Sequence, residues 1–175
     1  MKKRGFEVVK KYQNADIELP VRATHHAAGY DFQAAEEVVI PSIWKSGIDL
    51  KELGKSLFTD RSKLEALLKP TLVPTGIKAY MQEDEYLQLA NRSSNPLKRF
   101  LVLSNGIGVI DSDYYNNESN EGHIMFQLTN FGIKDVVIKK GERIGQGIFL
   151  QFLKADQDET LGERTGGFGS SNTEK

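Results

Sequence analysis

The sequence predicts an all-β protein, a barrel or sandwich of short strands interrupted by one helical insertion and followed by a loose C-terminal arm. Three observations carry this expectation. Most of the chain breaks into short runs rich in Val, Ile, Leu, Tyr and Phe, separated by Gly, Pro, Asn and Asp turns, without the alternating helices that βαβ units need. Only around residues 42–69 does the apolar period change from two to roughly 3.6. Beyond residue 154 the chain turns acidic and then glycine-rich, a composition that cannot bury enough apolar surface to order alone.

In chain order, Phe6–Tyr12 reads as a first strand, and Asn14–Pro20 as a turn. Val38-Val39-Ile40 is a short buried strand stopped by Pro41. Leu50, Leu53 and Leu57 share one helical face. After an N-cap at Thr59-Asp60, Leu64, Leu67 and Leu68 make another, ending before Pro70. Strands are expected again at Leu72–Tyr80, Tyr86–Ala90, Phe100–Leu103, Ile107–Ile110, Ile124–Leu128, Val136–Lys139 and Ile144–Leu153. The last is apolar on both faces, as suits a central or interface strand. The division expected is a β domain over 1–154, with its insertion at about 42–69, and an arm over 155–175.

Composition limits function. The 175 residues suit a single core, and a net charge of −1 gives no global field for nucleic acid or an anionic membrane. No apolar run approaches the roughly 20 residues of a membrane helix, and Met1-Lys2-Lys3-Arg4 leads into no signal-peptide core, so a cytoplasmic protein is expected. The absence of cysteine excludes disulfides, thiolate metal sites and cysteine nucleophiles. His25, His26 and His123 have no metal-binding spacing and read as surface or loop residues, so no protein-built metal site is expected.

Chemistry concentrates in Asn105–Asn117, N-G-I-G-V-I-D-S-D-Y-Y-N-N. Gly106 and Gly108 suit a tight turn or a close approach to a ligand, and carboxylates and an aromatic ring follow at once. The residues alone allow two readings, a site-bearing hairpin or an ordinary one with solvated aspartates.

Read together, A-G-Y-D-F-Q-A from Ala28, N-R-S-S from Asn91, G-V-I-D-S-D-Y from Gly108, G-E-R-I-G-Q from Gly141 and R-T-G-G-F-G-S-S from Arg164 resemble, in order, the five motifs of the trimeric dUTPase family. These hydrolases convert dUTP to dUMP and pyrophosphate. Leu72–Ile77 is similar to the family's connection before its second motif. The resemblance implies a jelly-roll-type β-barrel, a homotrimer with shared active sites, and an arm that closes over the nucleotide. It also implies Mg²⁺ carried by the triphosphate.

Residue roles follow from the same resemblance. Asp111 holds and polarises the attacking water; an aspartate near its ordinary pKa of ~3.9 is ionised at pH 7 but a weak base, so positioning and phosphate electrostatics should supply most of the acceleration. Ser93 and Gln146 make polar contacts to the phosphates and Arg164 to the distal ones; Arg92, Ser94 and the arm's Gly169 and Ser170 are also substrate-binding, and Asp31 is supporting, as Arg92's partner across the site. The backbone from Asn105 through Gly108 to Ile110 reads uracil, whose O4 acceptor and N3–H donor are reversed in cytosine; a mismatch there costs on the order of 10⁴-fold in rate. Tyr114 lies under the deoxyribose, which requires a bend at Ser112-Asp113, and Phe168 stacks on the base. Arg143 reads as a structural arginine.

The chain departs from the family pattern at Asn91, Ser94, Asn116 and Gly145, and its arm is one residue short between Arg164 and Gly166. Two alternatives stay open: a dCTP deaminase, or bifunctional deaminase and dUTPase, of the same fold; and a nucleotide-sensing regulatory protein that acts by binding a protein partner. Against the first, the expected base pocket offers Asp111 and no glutamate before Glu118.

Overall fold

A computed structural model describes residues 2–44 and 68–158. The helical faces expected at 50–67 and the arm residues Arg164, Phe168, Gly169 and Ser170 lie outside the described residues.

The all-β expectation holds. The strands are β1 (Gly5–Val8), β2 (Val21–Arg22), β3 (Tyr30–Gln33), β4 (Val38–Ile40), β5 (Thr71–Pro74), β6 (Ile77–Tyr80), β7 (Glu85–Asn91), β8 (Leu101–Leu103), β9 (Gly108–Asp111), β10 (Met125–Asn130), β11 (Val136–Ile138) and β12 (Arg143–Gln151). A short helix α1 (Ser94–Arg99) and 3₁₀ turns at Lys10–Tyr12 and Ser112–Tyr114 complete the described elements. Strand pairing is antiparallel, in a five-stranded sheet of order β2-β3-β12-β7-β9, a three-stranded sheet β5-β10-β8, and the pairs β1-β6 and β11-β4. Among the described residues these ladders do not join into one closed ring.

Period-two alternation builds the core. Along β7, Leu87 and Leu89 are buried while Tyr86, Gln88 and Ala90 turn to the other face; along β10, Phe126 and Leu128 point inward. The inner faces of the two largest sheets meet in one cluster, with the Phe32 and Phe126 rings 5.7 Å apart. Each fully buried Leu or Phe there contributes about 1.5–3 kcal/mol. Gly145 of β12 leaves the room that Phe126 needs: a Cβ at that position would lie 1.9 Å from its ring.

Several boundaries differ from expectation. The first strand stops at Val8: the Val9 N–H still reaches the Gly76 carbonyl (2.9 Å), but the chain then turns through the 3₁₀ turn Lys10–Tyr12, which buries Tyr12. Leu72–Tyr80 is two strands, parted at Gly76, whose φ of +72° breaks the extended run. β12 is central in its sheet but ends at Gln151, and the last apolar residues of the expected strand are not buried: Leu150, Phe152 and Leu153 are exposed. Helix α1 was not expected. It forms where Pro96 suits a first turn, and its buried side chain, Asn95, donates to the Ile144 carbonyl (2.8 Å) and to Asn91 Oδ1 (2.7 Å).

Candidate active site

The stretch expected as a hairpin is a corner between two sheets. β8 pairs with β10, whereas β9 pairs with β7, so the strands flanking the turn diverge instead of pairing with each other. The turn is closed by the Gly106 N–H on the Leu103 carbonyl (2.9 Å), with Gly106 at φ +70°. The divergence opens a cavity of about 230 Å³, lined on one side by Asn105 and Gly108–Asp111 and on the other by Ile124, Met125 and Gln127. Tyr114 and His123 line it as well. Asn105, Gly108, Ile110, Asp111 and Tyr114 are thus brought to one place.

The chain bends as Tyr114 requires. β9 ends at Asp111, whose backbone is still extended (φ −77°, ψ 159°), and the 3₁₀ turn Ser112–Tyr114 follows immediately. Tyr114 is buried; its hydroxyl donates to the His123 carbonyl (3.2 Å) and accepts from Asn120 Nδ2 (2.8 Å). Asn116 adopts φ +58°, a left-handed conformation that asparagine tolerates.

His123 is not a surface residue. Only 9% exposed, it lines the cavity, and its Nε2 accepts the Gly76 N–H at 2.9 Å. Burial first, and the nearby Lys11 charge second, push its pKa down to about 4, so the ring is neutral at pH 7 with its proton on Nδ1. His25 and His26 are exposed, their rings edge to face. Sequence reasoning also missed Met125 and Gln127; the signal available was the half-exposed face of β10, opposite Phe126 and Leu128.

Arg92, Ser93, Ser94, Gln146 and Asp31 gather elsewhere, at the other end of β7. Asp31 Oδ2 accepts from Arg143 (3.0 Å), and Asp31 Oδ1 lies 3.6 Å from Arg92 Nε. The Arg92 guanidinium also donates to the Arg143 carbonyl (3.2 Å). Gln146 stands opposite Asp31 on β3 and Ala90 on β7, and donates to the Asn91 carbonyl (3.4 Å). Gly29 leaves space for it, since a Cβ there would fall 2.3 Å from Gln146 Oε1. Ser93 precedes α1 and Ser94 begins it. Asp111 pairs in register with Tyr86 at the opposite end of β7, so Ser93 lies on the order of 20 Å away along the strand direction. One copy of the chain does not bring the two groups together.

The sequence matches the dUTPase family profile over residues 59–172. It is 51% identical over 173 residues to the deoxyuridine 5'-triphosphate nucleotidohydrolase of Lactococcus lactis subsp. lactis, covering 98% of this chain and 99% of that one. The chain belongs to the dUTPase family. The crystal structure of the Streptococcus mutans dUTPase superposes with a TM-score of 0.69 at 44% identity, covering 87% of this chain and 98% of that one. A dUTPase of phage phi11 of S. aureus, in which a structural Mg(II) ion has been described, shares the fold: TM-score 0.62, 14% identity, 92% and 98% covered. Within this dUTPase fold, the Gly145 that departs from the family's alanine is accounted for by Phe126.

Proposed function

We propose that this chain hydrolyses dUTP to dUMP and pyrophosphate, a water held by Asp111 attacking the α-phosphorus in line. The observation that carries the reading is the shared cavity: a carboxylate, a close-approaching backbone and a buried tyrosine lie together where two sheets part. Uracil would enter between the Gly108–Ile110 backbone and β10, with O4 and N3–H meeting backbone groups from Asn105 to Ile110. Refusal of cytosine follows because its reversed donor and acceptor would leave buried groups unmatched. Tyr114, turned by the 3₁₀ bend, packs under the deoxyribose. Asp111, at the strand end beside it, accepts a hydrogen bond from the water and orients its lone pair.

The phosphates would be met by Arg92, Ser93, Ser94 and Gln146 of another copy, with Arg164 and the glycines, Phe168, Gly169 and Ser170 of the arm closing over the nucleotide. The length of β7 between the two groups supports a site shared across a homotrimer. Asp31 has the supporting role of holding Arg92 in place. Among the described residues no three His, Asp or Glu side chains gather with metal-holding spacing. A Mg²⁺ ligated by the triphosphate itself would neutralise phosphate charge there. Among the described residues no helix is long and apolar enough to cross a membrane. A cytoplasmic location accords with a nucleotide substrate and a chain without cysteine.

The test offers dUTP, dCTP, dTTP and UTP with Mg²⁺ and measures pyrophosphate and ammonia separately. Pyrophosphate from dUTP alone is expected, with Asp111→Asn keeping nucleotide binding and losing at least roughly a hundredfold in turnover. Ammonia from dCTP, or equal turnover of all four, would refute the reading.

A further inference from the structure

Tyr114 is held at both of its hydrogen-bonding directions. Its hydroxyl proton goes to the His123 carbonyl at 3.2 Å, and its oxygen takes a proton from Asn120 Nδ2 at 2.8 Å. With both directions used, the ring cannot slide without breaking a bond in a buried place.

Each of the two holders is itself anchored. Asn120 Oδ1 accepts from Asn117 Nδ2 (2.8 Å) and from the Gly122 N–H (3.1 Å). Asn117 Oδ1 in turn receives the N–H groups of Ser119 and Asn120 and the Ser119 hydroxyl. On the other side, the His123 N–H returns to the Asn120 carbonyl (3.0 Å), while its imidazole accepts the Gly76 N–H. Ile124, the next residue, is stitched to the same segment: its N–H goes to the Ile77 carbonyl (2.8 Å), and its carbonyl accepts from the Thr75 hydroxyl (2.7 Å). His123 therefore ties the position of Tyr114 to the Thr75–Ile77 turn, 47 residues earlier in the chain.

We propose that His123 and Asn120 are positioning residues for Tyr114 and thereby set the choice of deoxyribose over ribose. The inference rests on the reading of Tyr114 as the sugar contact. A ring packed under the sugar excludes a 2′-hydroxyl only if it cannot retreat by the width of an oxygen atom. The Asn120 amide and the His123 carbonyl prevent that retreat, and the imidazole bond to Gly76 keeps the carbonyl where it is. Neither side chain needs to touch the nucleotide.

The experiment compares kcat/KM for dUTP and UTP in the unmodified protein, His123→Leu, His123→Gln and Asn120→Ala, with thermal unfolding recorded in parallel. His123→Leu and Asn120→Ala should each lower the dUTP-over-UTP ratio roughly tenfold, by the loosening of a positioned contact. His123→Gln, whose side-chain oxygen can accept the Gly76 N–H, should keep most of the ratio. Should His123→Leu not fold, Asn120→Ala and His123→Gln still decide the matter. An unchanged ratio in Asn120→Ala and in any folded His123→Leu, whatever happens to the melting temperature, would overturn the inference. An unmodified protein with no preference for dUTP would remove the proposed function, and this inference with it.

Discussion

Gly145 and Phe126 occupy one volume between the two principal sheets, and the pair makes a residue-scale prediction. A methyl group at 145 would meet the Phe126 ring at 1.9 Å, a contact only a shift of ring or strand could relieve. Gly145→Ala is expected to cost about 1–3 kcal/mol in denaturant unfolding, and Phe126→Leu in the same chain to recover part of that loss. His123 makes a second. Its folded pKa of about 4 lies below the ordinary value near 6.5, so the unfolded chain binds the extra proton first as pH falls. The stability it contributes is complete above pH ~6.5 and is lost on descending to pH ~4, about 3 kcal/mol in all. Glu36 and Glu121 oppose this depression and Lys11 adds to it. Urea unfolding at successive pH values should steepen over that window and flatten in His123→Gln; identical slopes would refute it. The candidate residues of the third motif were legible because glycine, carboxylate and tyrosine are short-range signals. His123 was not, because its burial depends on a turn far away in sequence.

At the scale of elements, strands with clean alternation, such as β7 and β10, could be read directly. The corner at 104–107 could be read as a turn, but nothing local says that the strands on its two sides join different sheets, and that divergence is what opens the cavity. Helix α1 escaped notice because its six residues are mostly polar and the side chain it buries is an asparagine. That asparagine ties α1 to β12 and so sets where Arg92, Ser93 and Ser94 stand relative to Gln146. Asn95→Ala should destabilise the fold by about 1–3 kcal/mol, by leaving buried acceptors unmatched. In steady-state kinetics it should raise KM for dUTP more than it lowers kcat. Unchanged KM would detach α1 from phosphate binding.

For the molecule as a whole, the all-β fold was legible from short strand runs and turn residues and the family from ordered motifs, whereas assembly is a property of several chains and came only as an implication of the resemblance. The register of β7 gives it a structural argument, since β7 pairs with the Asp111 end of β9 near one end and carries Arg92 and Ser93 past the other. A site that needs both groups must then combine copies. The most direct test mixes two inactive variants, Asp111→Asn and Arg92→Ala/Gln146→Ala, by co-refolding, and measures pyrophosphate release from dUTP. Activity well above the sum of the separately refolded parents is the result predicted, since some sites would then pair an intact Asp111 with an intact phosphate cluster. A mixture no more active than that sum would contradict a site shared between copies.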